Sequence, residues 1–200
     1  MKPFLSATFI LFLVAGFVDA QPDPKFMRGA KPTPFPKIIE SIKTGKASVY
    51  RAISAPAQVV VVPKRLSMWG NSQYGDCVSA ESAFSMAAYS TYVGLDEIFI
   101  PEANVIAWAR SHGFLNGAEL LEVMQAMQAD GIKDEKGMLR KAGKASSVDY
   151  RNESTLKSAI AQGPVSIAIA SSSLPNGAGS KNGWYVFSGG GSRATDHCVG

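Results

Sequence analysis

Cysteine and histidine are scarce in this chain of 200 residues: Cys77 and Cys198, His112 and His197. Two cysteines are too few for a disulfide-built scaffold. Two cysteines and two histidines without ligand spacing support no metal site, and nothing else in the sequence asks for a cofactor. Long apolar runs are missing too, since the stretch from Phe4 to Val18 is too short to span a bilayer comfortably. No internal repeat is present. Most of the chain also lacks an excess of one charge: residues 64–200 carry twelve basic and thirteen acidic side chains. The net +4 comes from residues 21–63, where seven Lys/Arg face only Asp23 and Glu40. A near-neutral body behind a basic leader gives little support to nucleic-acid binding.

What remains has ordinary apolar content and enough length to bury a core, as one domain or two small lobes. Residues 1–20 have the pattern of a secretory signal: Lys2, an apolar run, and the small-residue ending Val18-Asp19-Ala20. The alternative is an uncleaved N-terminal anchor. With the signal removed, the expectation is an exported monomer with no membrane partner, in an extracellular, periplasmic or lysosome-like compartment. Export puts the two cysteines in an oxidising surrounding, so a structural Cys77–Cys198 bridge is a standing alternative to a reactive thiol. The sequon at Asn152 has meaning only in a eukaryotic secretory route.

Residues 21–36, with five prolines, read as an extended linker. A short helix fits within Ile38 to Ile53, and the run of valines ending at Pro63 fits a strand. From Cys77 to Val93 the residues are small or apolar with Glu81 the only charge, as in a helix enclosed on most sides, with Asp76 as its N-cap. Further helices are expected from Pro101 to His112 and after Asn116-Gly117. In the latter, Leu120, Leu121, Met124 and Met127 fall on a core-facing stripe and Gly131 supplies the stop. Beyond Leu156 the period changes to two. Val165, Ile167 and Ile169 alternate with Ser166, Ala168 and Ala170, which marks a half-buried strand, and Gly-Trp-Tyr-Val-Phe and Thr-Asp-His-Cys-Val-Gly fit two more. Helices followed by strands give an α+β class, with a cleft between a helical lobe and a sheet lobe.

Cys77 stands at a predicted helix start, where free N–H groups and the dipole stabilise a thiolate. Asn71, six residues earlier, or Gln73 could supply a side-chain amide to an oxyanion hole. Of the histidines, His112 reads as a surface or capping residue. His197 lies in a strand whose period places it with Val199 on one face and Asp196 with Cys198 on the other. If His197 faces Cys77, Cys198 faces away and the bridge becomes hard to build.

The order of amide-x5-Cys on a buried helix, Asn-Gly before a second helix with a Gly-Ile stop, Gly-Pro-Val-Ser, and Asp-His-Cys-Val-Gly resembles the papain family of cysteine proteases, from about Val62 to the last residue. The resemblance implies a two-lobe α+β fold with an antiparallel β lobe, and residues 64–200 as a catalytic domain behind a short basic leader, residues 21–63. It implies Cys77 as nucleophile, His197 as general base and acid, Asn71 as oxyanion donor, Asn116 and Gly117 as a substrate-binding turn, and Ile167 with Asp196 near the pocket for the second substrate residue. The activity implied is hydrolysis of peptide bonds in a peptide or protein substrate through an acyl-enzyme. The sequence departs from the family at Val78, which replaces a Trp, at Tyr74, which replaces a cysteine, and at Asp76, whose charge opposes a thiolate. The family's third catalytic residue would lie beyond Gly200, so the chain reads as truncated. Two other readings stand beside the peptidase: a thiol-dependent acyltransferase or amidase, and an inactive papain-like protein that binds peptides or a partner.

Overall fold

A computed structural model describes residues 10–12, 29–55, 61–169 and 197–199. Helix α2, Cys77–Tyr92, is its axis. Ala80, Ala83, Ala87 and Ala88 let neighbours approach α2 closely, and two of the buried serines return their hydroxyls to the helix backbone: Ser82 Oγ donates to the Val78 carbonyl at 3.0 Å and Ser90 Oγ to that of Ala87 at 2.9 Å. A helix built this way needs no polar face. Helices α3, Glu102–Ser111, and α4, Leu120–Ala129, pack on one side of it and strands of the main sheet on the other. The expected α4 stripe is in the core, with Leu121, Met124 and Met127 wholly buried. Gly131 follows in a left-handed conformation at φ 70°, as a helix stop requires.

The main sheet runs β3-β7-β1-β8-β9, formed by Ala47–Val49, Ala145–Val148, Ile10–Phe12, Val165–Ile169 and His197–Val199. Three of its four pairings are parallel, and only β8 with β9 is antiparallel. An antiparallel β lobe was expected. Helix α5, Glu153–Ile160, explains part of the difference, because a helical crossover between β7 and β8 returns the chain in the same direction. Asn152 caps α5 by accepting the Thr155 N–H at 3.0 Å. Two small ladders complete the fold: β2, Ala30–Lys31, pairs in parallel with β4, Ala118–Glu119, and β5, Ile132–Lys133, pairs antiparallel with β6, Leu139–Arg140. The fold thus combines helices and small sheets, consistent with an α+β class in general.

The N-terminal third departs most from expectation. The helix proposed within Ile38 to Ile53 is α1, Phe35–Lys43, followed by a turn at Gly45 and by β3. Lys37 holds α1 to the start of α4 through Glu119 at 2.8 Å and Glu122 at 2.6 Å. Within the segment read as a linker, Ala30 and Thr33 are buried and Ala30–Lys31 is a paired strand. Ile10–Phe12, inside the segment read as a secretory signal, pairs with both β7 and β8. Residues 29–49 therefore share a core and sheets with residues 64–169. Val61 and Val62 are irregular, and the rest of the proposed valine strand, like the Gly-Trp-Tyr-Val-Phe strand, lies outside the described residues.

Strand β8 corrects the expected alternation. Ser166 and Ala168, placed on the outer face, are 1% and 7% exposed, because they are small enough for α2 to lie against them. Val165 and the half-buried Ile167 pack on the other face with Val148, Ala159, Tyr150 and Leu156. Both faces of the strand are covered, so the period of two survives while its inside and outside do not.

Candidate functional site

The loop before α2 is tightly wound. The N–H groups of Gln73 and Tyr74 both donate to the Gly70 carbonyl at 2.9 Å, and Asn71 N–H donates to Met68 at 2.8 Å. Trp69 takes φ 46°, a left-handed conformation costly for a bulky residue. Its indole, 3% exposed, is anchored by donating to the Ile100 carbonyl at 2.8 Å. The loop delivers Asn71 and Cys77 to one cleft of about 550 Å³, whose other walls include Trp69, Glu81, Phe84 and Cys198. Gln73 is exposed and does not line it. Asn71 is thus the amide that shares the cleft with the thiol.

Asp76 occupies the N-cap position, yet its side chain makes no cap hydrogen bond, correcting the expectation. Both carboxylate oxygens are buried without a hydrogen-bond partner. Burial raises its pKa to about 7, its own backbone N–H pulling the other way and Glu102 adding to the rise. Cys77 follows at the first position of α2, 1% exposed. Burial pushes its thiol above the ordinary range against the pull of the backbones of Cys198, Gly29 and Ala30, with Asp76 adding a smaller rise. The helix N-terminus does not by itself produce a thiolate here.

The backbones of Gly29 and Ala30, with that of Cys198, come up against the Cys77 thiol. Gly29–Lys31 runs as an extended segment beside β4 and also touches β9. The Gly29 carbonyl accepts the Ala118 N–H at 2.7 Å, and Ala30 belongs to the same apolar cluster as Cys77 and Trp69. Gly75 bridges to Asn116, so the loop before the cysteine and the Asn116-Gly117 turn are neighbours. Gly117, at φ 97°, lies directly beside Gly29.

On β9 the outcome differs from expectation. Cys198, paired with Ala168 and 4% exposed, is the β9 cysteine that lines the cleft with Cys77. Both cysteines are free. Val199, which the strand period places on the face of His197, lines the same cleft, so side chains from both faces of β9 reach it. His197 is half-buried and paired in register with Ile169. Ile167 is not a wall of this cleft; it lines a separate apolar cavity of about 500 Å³ with Tyr150, Leu156 and Val165. Asp196 lies outside the described residues. His112 caps α3, stacks on Phe114 at 5.3 Å and meets Asp130 at 3.4 Å, which accounts for it structurally.

Sequence reasoning passed over Glu81 and Gly29. Glu81, one turn after Cys77, is buried and accepts a hydrogen bond from Ser85. Burial drives its pKa up, with Ser166 and Ser85 pulling the other way, and its nearness contributes to the raised pKa of Cys198. Its lone charge in an otherwise uncharged helix was the available signal. Gly29 had none, because a glycine among prolines reads as a linker. Among the described residues no group of three or more His, Cys, Asp or Glu converges as metal ligands, and no helix is long and apolar enough to cross a membrane. The chain matches no family model, no curated protein and no solved structure.

Proposed function

We propose that this chain is a secreted cysteine-type peptidase of papain-like design, in which Cys77 attacks a peptide carbonyl and His197 handles the proton. The observation that carries the reading is the extended polypeptide lying across Cys77, hydrogen-bonded through Gly29 to Ala118 and flanked by the Gly75 and Asn116-Gly117 backbones. A main-chain slot that holds backbone in an extended state beside a cysteine at a helix start, next to the cleft that this cysteine lines, is suited to presenting a peptide bond to it. In the proposed cycle the Cys77 proton passes to His197 as the carbon–sulfur bond forms, and the Asn71 amide receives the oxyanion. The amine leaves with the proton from His197, and water then releases the acid from the thioester. The substrate is a peptide or protein, and the enzyme acts as a monomer.

The raised Cys77 pKa and the presence of Cys198 rather than His197 in the cleft wall favour a second reading, a papain-like module that binds peptides without cleaving them. The two part on one experiment. A fluorogenic peptide library is incubated with the chain in the Cys198→Ser background, so that Cys77 is the sole thiol, and with Cys77→Ala and His197→Ala added. Turnover that disappears in both variants supports hydrolysis. Peptide binding with no turnover in any of them leaves the binding module.

A further inference from the structure

Gly29 sits where no other residue fits. A Cβ on it would fall 1.5 Å from the Gly75 carbonyl oxygen and 2.3 Å from its carbon, and these are backbone atoms with no rotamer to retreat into. From the other side, a Cβ on Gly117 would lie 2.8 Å from the Gly29 oxygen and 3.2 Å from its Cα. Three glycines therefore make one slot, with walls of main chain on two sides. The restriction at Gly29 is one of space, set by main-chain atoms that cannot move aside. The next position is also limited: Ala30 is 6% exposed among Trp69 and Cys77. Lys31 is exposed, and its register partner is Glu119.

We infer that the groove across Cys77 selects polypeptide with glycine at the position facing Gly75, followed by a small residue, and that Gly29-Ala30 is its resident occupant. The inference rests on the reading of this cleft as a polypeptide site and names its substrate class. Selectivity arises because a single methyl group at the glycine position collides with fixed backbone, whereas a side chain at the Lys31 position meets solvent.

The test follows Cys77 alkylation in the full chain, located by peptide mapping. Lys31→Glu places like charges opposite each other across β2 and β4 at an exposed site, so it loosens the strand with no core cost. Gly29→Ala expels it sterically. Both variants should label at Cys77 roughly tenfold faster than the parent. In the Lys31→Glu protein, a synthetic heptapeptide with the sequence of residues 27–33 should slow labelling again, and the same peptide with alanine for its glycine should not. Equal protection by the two peptides overturns glycine selection while leaving the cleft as a peptide site. No protection by either, or a parent that labels as fast as the variants, overturns the groove itself. Protection by the glycine peptide without cleavage of any substrate supports the inference and counts against hydrolysis, so the two ideas fail separately.

Discussion

Asp76 carries a large consequence in a single side chain. A carboxyl with a pKa near 3.8 when exposed and about 7 in the fold holds its proton more tightly when folded. Below about pH 4 it is protonated in both states and costs nothing. Between about pH 4 and 7 the unfolded chain gives up the proton first, and the fold loses roughly 1.36 kcal/mol per pH unit. Above pH 7 the loss levels off, with an upper bound of about 4 kcal/mol for the full shift. Asp76→Asn keeps the shape and removes the titration. Urea unfolding followed by circular dichroism should show the variant and parent equal near pH 4 and the variant more stable at pH 8, by up to about 4 kcal/mol. Taking the difference between the two proteins cancels Glu81 and every other group that titrates in both. A difference that stays constant from pH 4 to 8 would refute the burial of an unpartnered carboxylate at this position. Because Asp76 also raises the Cys77 pKa, alkylation of Cys77 should be faster in Asp76→Asn at neutral pH.

Four further substitutions test the fold that frames the cleft. Trp69→Phe leaves the Ile100 carbonyl without its indole donor in a buried setting, and urea titration should register a loss of about 1–3 kcal/mol. Met124→Ala empties a fully buried position of the α4 stripe, for an expected loss of about 2–5 kcal/mol in the same assay. Gly131→Ala and Gly45→Ala impose a similar strain, at φ 70° and 74°, but only at Gly131 would the new Cβ meet backbone, 2.4 Å from the Arg140 oxygen. Gly45→Ala should cost about 1 kcal/mol and Gly131→Ala clearly more; equal losses would remove the β5–β6 contact from the account.

The helical half was legible because its signals are local. The spacing of Leu120, Leu121, Met124 and Met127, the glycine stop at Gly131 and the small residues of α2 each constrain structure within a few turns, and α2, α3 and α4 stand where the sequence placed them. The sheet was harder. Parallel pairing of β3 with β7 joins residues 98 apart, as Ser48 and Ser146 show with their hydroxyls 2.7 Å apart, and no local pattern records it. The alternation in β8 was visible, but which face meets a helix depends on that helix being narrow enough to accept Ser166 and Ala168.

Residue types and local spacing were enough to single out Cys77 and Asn71, which line one cleft, because each sits at the edge of an element that its neighbours specify; the Asn116-Gly117 turn came from the resemblance alone and meets the loop before Cys77 at Gly75. The placing of Gly29–Lys31 against Gly75 and Gly117, the depth to which the thiol is buried, and the presence of Cys198 and Val199 in the cleft wall came from elsewhere. They depend on how close backbone can come to backbone, as at Gly29, Gly75 and Gly117, and on which apolar surfaces are left to cover one another once α2 is enclosed. Those are distances between segments far apart in the chain, and a linear order of residues carries them only through the fold it makes.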